Sequence, residues 1–305
     1  MQKGGWGGFL EMNFNRQKIF LYILGALFLG AVLVWSAVWQ SGTASITGQL
    51  GGQNKLKVDF FDVGQGAATL IEAPNRNRVL IDGGPGSQIL NKLGRAMPFF
   101  DREIDVVILT HPDSDHLNGL IDVLKKYKIG EVVDPCLAEP QANYQEFLRL
   151  IEEKKINHLC AQAGQRIKLS EDVVLDILFP FESLEGVSLK NTNDSSIVAK
   201  LSYGQNKILL TGDAEQKTEI QLINKQIDLG VQILQVGHHG SKTSTSAEFI
   251  QAVKPEIAVI QVGKDNRYGH PHQDVLDRLK NIKIFRTDLD GDADFLCSLE
   301  KCSRQ

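Results

Sequence analysis

One short polar segment constrains this chain more than any other. Thr110-His111-Pro112-Asp113-Ser114-Asp115-His116 follows directly on the apolar run Ile104-Asp105-Val106-Val107-Ile108-Leu109 and opens into the helical pattern Leu117, Leu120, Ile121, Leu124. The run reads as a buried strand, so the polar cluster stands at a strand-to-helix turn. Alternate residues of an extended loop point the same way. His111 and Asp113 are therefore expected to converge on one point, and Asp115 and His116 on a neighbouring one. Imidazoles mixed with carboxylates suit hard to borderline divalent cations such as Zn²⁺ or Mn²⁺. The plain alternative is a polar loop with an aspartate capping the helix.

Two further clusters end strands in the same way. Thr211-Gly212-Asp213 follows Lys207-Ile208-Leu209-Leu210, and a carboxylate there could bridge two cations about 3.5–4 Å apart, or merely cap a helix at Ala214-Glu215. Val236-Gly237-His238-His239-Gly240-Ser241 follows the strand Val231 to Gln235. Paired histidines flanked by glycine are rarely core filler. Both are candidate metal ligands, one of them reading alternatively as a substrate or outer contact. Asp82, in the turn after the strand Arg78 to Ile81, is placed to orient a ligand from behind, or is part of an ordinary turn.

The remaining pattern repeats one scheme twice. Strands Leu56 to Val63, Ala68 to Glu72 and Arg78 to Ile81 predict an antiparallel meander, followed by strand and helix alternation with helices near Leu117 to Tyr127 and Tyr144 to Lys154. Strands Arg166 to Leu169, Val173 to Phe179, Ile197 to Ser202 and Lys207 to Leu210 predict a second meander, with a hairpin turn at Tyr203-Gly204-Gln205-Asn206. It too passes into alternating helices and strands. Such alternation implies layered α/β packing.

With 305 residues, 42% hydrophobic and 23% charged, the chain has the length and balance for a large core. A net charge of −4 excludes a chain that is basic overall, so any polyanion binding has to be local. Ile19 to Trp39 carries no charge and matches the ~20 residues of a helix across a bilayer. Lys3, Arg16 and Lys18 precede it and Trp35 and Trp39 close it. This predicts one transmembrane helix over 19–39, with residues 1–18 in the cytoplasm and the main domain on the extracytoplasmic side of the cell membrane. A cleaved signal peptide is the alternative, but its apolar stretch is usually only ~7–15 residues. Gly-rich residues 40–54 read as a flexible linker and 55–305 as the folded domain. Cys136 and Cys160 bracket one stretch and Cys297 and Cys302 another, and disulfides can form in an oxidising compartment. No Cys-x-x-Cys spacing occurs, so cysteine is not expected to hold metal.

Phe61-Asp62-Val63-Gly64-Gln65-Gly66, Ile81-Asp82-Gly83-Gly84, Thr110 to His116, Leu210-Thr211-Gly212-Asp213, His238-His239-Gly240-Ser241 and Tyr268-Gly269-His270-Pro271-His272 resemble, in order, the motifs of the metallo-β-lactamase superfamily. Within it they are most similar to the hydrolase domain of ComEC-type competence proteins, over about Lys55 to Ser298. The resemblance implies a four-layered αββα sandwich with two divalent metal ions, Zn or Mn. His111 and Asp113 would hold one, Asp115, His116 and one of His238 or His239 the other, with Asp213 bridging. Asp115 and His270 would act in catalysis, His270 giving a proton or hydrogen bond to the substrate. Asp62, Asp82, Asn193, Ser241, Lys242 and His272 would stand behind the ligands or against the substrate, with Lys264 and Arg267 adding positive charge.

Three positions depart from that pattern. Asp113 replaces a more usual histidine, which favours a harder metal such as Mn²⁺. The stretch Asn191 to Ser196 lacks a histidine that many members carry, and Ala67 replaces a frequent acidic residue. The implied function is a membrane-anchored, metal-dependent hydrolase of phosphodiesters, DNA being one candidate. The multi-span channel of full competence proteins has no counterpart in these residues, so hydrolysis rather than translocation is expected. Alternatives are hydrolysis of a lactone, β-lactam or choline phosphoester, or a non-catalytic scaffold with a degraded metal site.

Overall fold

The structure is a computed structural model and describes residues 21–32 and 55–305. The chain divides into two units, Met1–Gln53 and Asn54–Gln305. In the first, residues 21–32 form helix α1, whose side chains are exposed. No helix among the described residues is long and apolar enough to cross a membrane. The predicted span 19–39 runs past both ends of α1 into residues outside the described ones, and the predicted linker 40–54 lies wholly outside them.

The second unit holds two sheets. Strands β1 (Leu56–Phe60), β2 (Thr69–Glu72), β3 (Arg78–Ile81), β4 (Glu103–Ile108), β5 (Lys128–Asp134) and β6 (Asn157–Cys160) join β14 (Ala293–Cys297) and β15 (Cys302–Arg304) in one sheet, in the order β15-β14-β1-β2-β3-β4-β5-β6. The other contains β7 (Arg166–Lys168), β8 (Val173–Phe179), β9 (Val198–Tyr203), β10 (Asn206–Leu210), β11 (Ile233–Gln235), β12 (Ile257–Ile260) and β13 (Lys283–Arg286), in sequential order. In each sheet an antiparallel meander passes into parallel strands, at β3-β4 and at β10-β11. This is the doubled scheme expected from the sequence, and Tyr203 pairs with Asn206 across the predicted hairpin.

Burial explains the layering. Val58, Phe60, Ile71, Leu175, Leu201, Ile208 and Phe295 interlock between the sheets. On the outer face of the first sheet, Leu80, Val107 and Val132 pack against helices α2 (Gln88–Ala96), α3 (Ser114–Lys126) and α4 (Ala142–Lys154) through Leu93, Leu124 and Phe147. On the outer face of the second, Leu209 and Leu234 meet α5 (Gln216–Asn224) and α6 (Ala247–Val253) through Leu222 and Phe249. Ala258 and Ile260 meet Val275 of α7 (Gln273–Arg278). The result is the four-layered αββα sandwich.

One contact locks the site to this frame. Helix α3 approaches the turn after β3 so closely that a Cβ on Gly119 would lie 1.8 Å from the Gly83 carbonyl oxygen. That approach lets Gly83 N donate to the His116 carbonyl at 2.7 Å and sets Asp82 beside His116. Gly119→Ala has to push backbone from backbone, so it is expected to destabilise the unit by about 1–3 kcal/mol. Denaturant unfolding of the variant against the parent checks this, and an unchanged midpoint would contradict it.

Candidate metal centre

The loops after β3, β4, β10, β11 and β12 meet around the buried carboxylate of Asp213. His116 brings Nε2 to 3.1 Å from its Oδ1, while His239, His238 and His111 bring Nε2 to 3.4, 3.8 and 3.9 Å from its Oδ2. Each ring is held from behind at Nδ1. His116 has the Asp82 carboxylate at 2.7 Å, His111 the Thr110 hydroxyl at 3.0 Å, and His239 the Gln261 carbonyl at 2.8 Å. His238 has the Glu215 carboxylate and the Thr243 hydroxyl, both at 3.3 Å. Fixing Nδ1 sets the orientation of an imidazole and leaves Nε2 as its ligand atom.

The donors form two groups. Asp115, His116 and His239 offer ligand atoms within 4.8 Å of one another, and so do His111, His116 and Asp213. In the first group His239 Nε2 lies 3.2 Å from His116 Nε2 and 3.4 Å from Asp115 Oδ2. Beside the second, Asp113 Oδ2 lies 3.8 Å from His111 Nε2, and its other oxygen accepts a hydrogen bond from the Thr192 hydroxyl. Capping does not explain these aspartates. Asp113 precedes α3 but makes no side-chain capping bond, and the residue that precedes α5 is Glu215, not Asp213.

A divalent cation fits this donor set. His111 Nε2 is buried without a hydrogen-bond partner, a costly arrangement unless a ligand takes its lone pair. The local backbone is also committed to the arrangement. His238 and His239 sit in the left-handed region at φ 49° and 54°, each at a cost of order 1–3 kcal/mol. This turn lets consecutive histidines both reach Asp213 while one is backed by Glu215 and the other by Gln261.

The electrostatics are those of a closed ion-pair cluster. Burial pushes the Asp213 carboxyl up, but the His239 and His116 imidazoliums outweigh it and hold it well below the ordinary range. Asp115 is likewise lowered, burial being outweighed by His239 and His116. Burial opposes charge on His116 too, yet Asp213 and Asp82 raise it well above its usual value. The same balance, set by burial against Asp213 and Asp115, lifts His239 to about 10. His111 is lowered by burial and by His116.

The other predicted residues fall at different distances from the centre. Asn193 brings Nδ2 to 3.5 Å from His238 Nδ1, and its Oδ1 is buried without a partner. Ser241 contacts Thr243, 3.1 Å between hydroxyls, one step behind His238. The His270 ring lies 5.6 Å from the His238 ring, and its backbone is clamped by Asn266 at 2.9 and 2.7 Å. Burial and the neighbouring His239 and His238 lower His270 to about 4. Among the described residues Asp62 makes no hydrogen bond or ion pair with the cluster; it accepts from Gly64 N at 3.1 Å and lines a groove with Lys92, Arg95 and Lys264. Lys242 is exposed. His272 precedes α7 and accepts from Asp274 N at 3.3 Å, outside the cluster. Sequence reasoning missed Glu215, Thr243, Gln261 and Thr192, although a glutamate two residues beyond Asp213 was a visible signal.

A family model of the Metallo-beta-lactamase superfamily matches residues 61–264. The chain belongs to the metallo-β-lactamase superfamily. Over 254 residues it is 33% identical to ComE operon protein 3 of Bacillus subtilis, covering 77% of this chain and 32% of that protein. It is 35% identical to Recombination protein 2 of Haemophilus influenzae over 234 residues, 74% of this chain and 27% of that one. It is 30% identical to Competence protein ComA of Neisseria gonorrhoeae over 266 residues, 86% and 35%. The chain thus spans about a third of the length of these relatives. The fold is similar to that of the metallo-β-lactamase fold protein YhfI from Bacillus subtilis, with TM-score 0.55 and 12% identity over 80% of this chain and all of that one.

The protonated cluster makes a directional prediction. Stabilisation from the raised His116 and His239 is complete below about pH 6.5 and is lost as pH rises towards their folded values, about 10 for His239. That from the lowered Asp213 and Asp115 is present above about pH 3.8 and lost on acidification. Cations compete with the imidazole protons, so their affinity should rise with pH across the neutral range and their binding should release protons. Titration calorimetry in buffers of different ionisation enthalpy reads both, and pH-independent affinity would contradict the protonated cluster.

Proposed function

We propose that the second unit is a two-metal hydrolase of phosphodiesters, DNA strands among them, tethered to a membrane and facing the extracytoplasmic side. The observation that carries this reading is the convergence of four braced imidazoles on the single carboxylate of Asp213. His111, Asp113 and His238 would hold one cation and Asp115, His116 and His239 the other, with Asp213 shared. A pair of divalent cations lowers the pKa of water towards neutrality and polarises a phosphoryl group. The protein's share is positional. Asp82, Thr110, Gln261 and Glu215 keep each Nε2 presented. Asp115, ionised and 30% exposed, would hold its cation through one oxygen and present the other to accept a hydrogen bond from a water. His270, neutral near pH 7, offers its N–H to a substrate oxygen.

Substrate class rests on the relatives and on surface charge. The relatives' names belong to competence and recombination, processes that handle DNA. The groove that Asp62 lines, about 560 Å³ and joined to His270 through Asn266, carries Lys92, Arg95 and Lys264 but also Asp265. Lys92 is already paired with Asp292 at 2.7 Å. So mixed a surface neutralises few phosphates, which favours short substrates over long polyanions. The uncharged stretch 19–39 supports the tether, and disulfides Cys136–Cys160 and Cys297–Cys302 support an oxidising exterior.

Purified residues 55–305 with Mn²⁺ or Zn²⁺ should cleave bis-p-nitrophenyl phosphate and oligonucleotides but not a chromogenic β-lactam, and the opposite preference would overturn the phosphodiesterase reading. Elemental analysis should find two metals per chain, and a folded sample that binds none would favour a scaffold. Asp213→Ala should lose metals and turnover together while circular dichroism shows the sheets intact, and retained turnover would exclude the two-metal arrangement. Glu215→Gln should weaken one of the two metal equivalents by about 10–100-fold, the usual effect of removing a group that orients a ligand. Equal weakening of both would contradict the assignment of His238 to one cation.

A further inference from the structure

A second group of ligand atoms lies on β5 and β6, apart from the residues around Asp213. Asp134, the last residue of β5, is fully buried. The parallel register pairs Asp134 with Cys160 and Val132 with His158, so His158 and Cys160, two residues apart, share one face of β6. Cys136, in left-handed conformation at φ 56°, turns the chain back over them and is disulfide-bonded to Cys160. Asp134 Oδ1 lies 2.6 Å from His158 Nε2 and 3.3 Å from Cys136 Sγ, and His158 Nε2 lies 3.9 Å from the same sulfur. Four-coordinate zinc with one oxygen, one nitrogen and two sulfurs places its donors about 3.3–3.8 Å apart. Carboxylate, imidazole and Cys136 sulfur are within a fraction of an ångström of that spacing. The fourth donor would be Cys160 Sγ, now bonded to the Cys136 sulfur.

We propose that Asp134 Oδ1, His158 Nε2, Cys136 Sγ and Cys160 Sγ form a zinc site when the disulfide is reduced, so that the metal and the disulfide are alternative crosslinks at one place. A dithiol supplies the two electrons and two protons that break the S–S bond, and is itself oxidised to a disulfide. Zinc then displaces the protons of both thiols and takes His158 Nε2, the remaining ring proton sitting at Nδ1, leaving two thiolates, one neutral imidazole and one carboxylate around the ion. The other carboxylate oxygen is already tied to the Tyr144 hydroxyl at 2.5 Å, the outer contact that orients a ligating carboxylate. Two sulfur donors select zinc over magnesium or manganese. The absence of Cys-x-x-Cys does not preclude such a site, because the donors come from paired strands. Cys297 and Cys302 face each other across β14 and β15, with no histidine or carboxylate grouped with them among the described residues.

The two crosslinks would hold the same loop. The Cys136 carbonyl accepts from Gly186 N at 2.9 Å and Ala138 N donates to the Val187 carbonyl at 2.9 Å, stitching this loop to the segment that leads to Thr192 and Asp113.

Cobalt(II) titration of the full chain tests the proposal independently of any hydrolase activity, since the donors around Asp213 include no sulfur. The anaerobically reduced protein, freed of dithiol, should develop a near-ultraviolet thiolate-to-cobalt charge-transfer band that the oxidised protein lacks. Cys136→Ser, which leaves one thiolate, should cut the band to half or less, and Cys297→Ser should leave it unchanged. Tyr144→Phe, which preserves the packed ring, should weaken cobalt binding by about tenfold or more. A reduced chain without the band, or a band undiminished in Cys136→Ser or lost in Cys297→Ser, overturns the assignment.

Discussion

A single buried carboxylate, Asp213, is the interaction on which the rest of this site depends. Left alone in the interior it would be expelled or neutralised, because burying an unpaired charge costs several kcal/mol or more. Four imidazoles surround it instead, from loops that begin on both sheets. Folding brings the histidines and Asp213 together, and each compensates the burial of the other.

Rigidity comes from the groups standing behind the rings. A carboxylate, a hydroxyl or a carbonyl at every Nδ1 leaves each imidazole one free direction. The strained pair His238 and His239 shows the same priority, since the backbone accepts unfavourable conformations so that adjacent side chains can both reach one anion. The close approach of Gly119 to Gly83 couples helix α3 to the Asp82 turn, so helix packing and ligand orientation are one mechanical unit.

The departure at Asn193 takes on a different meaning in this setting. The sequence shows an asparagine where many relatives carry a histidine, and by itself this suggests a weakened site. In the folded chain Asn193 lies against His238, whose ring is aimed at Asp213 and backed by Glu215. An imidazole from a different loop thus stands near the place that the asparagine leaves without one.

The sequence by itself determined the strand meanders, the two sheets' common scheme, and the polar clusters at strand ends, because apolar periodicity and strand-terminal histidines and aspartates are local signals. It missed α2, β6 and β15; β6 escaped because Asn157-His158-Leu159-Cys160 is short, polar and at a sheet edge, without clear alternation. It also left open which of His238 and His239 joins Asp115, and it gave no hint that Thr243 or Gln261 would stand behind the rings. Only the tertiary structure decided these points. Glu215 and Gln261 lie 23 and 22 positions from the histidines they back, and Thr243, five positions from His238, also bonds Glu215 28 positions away, across strands whose register is set by core packing. Side-chain direction at a left-handed turn likewise follows from what the surrounding fold permits, not from the residues' own preferences.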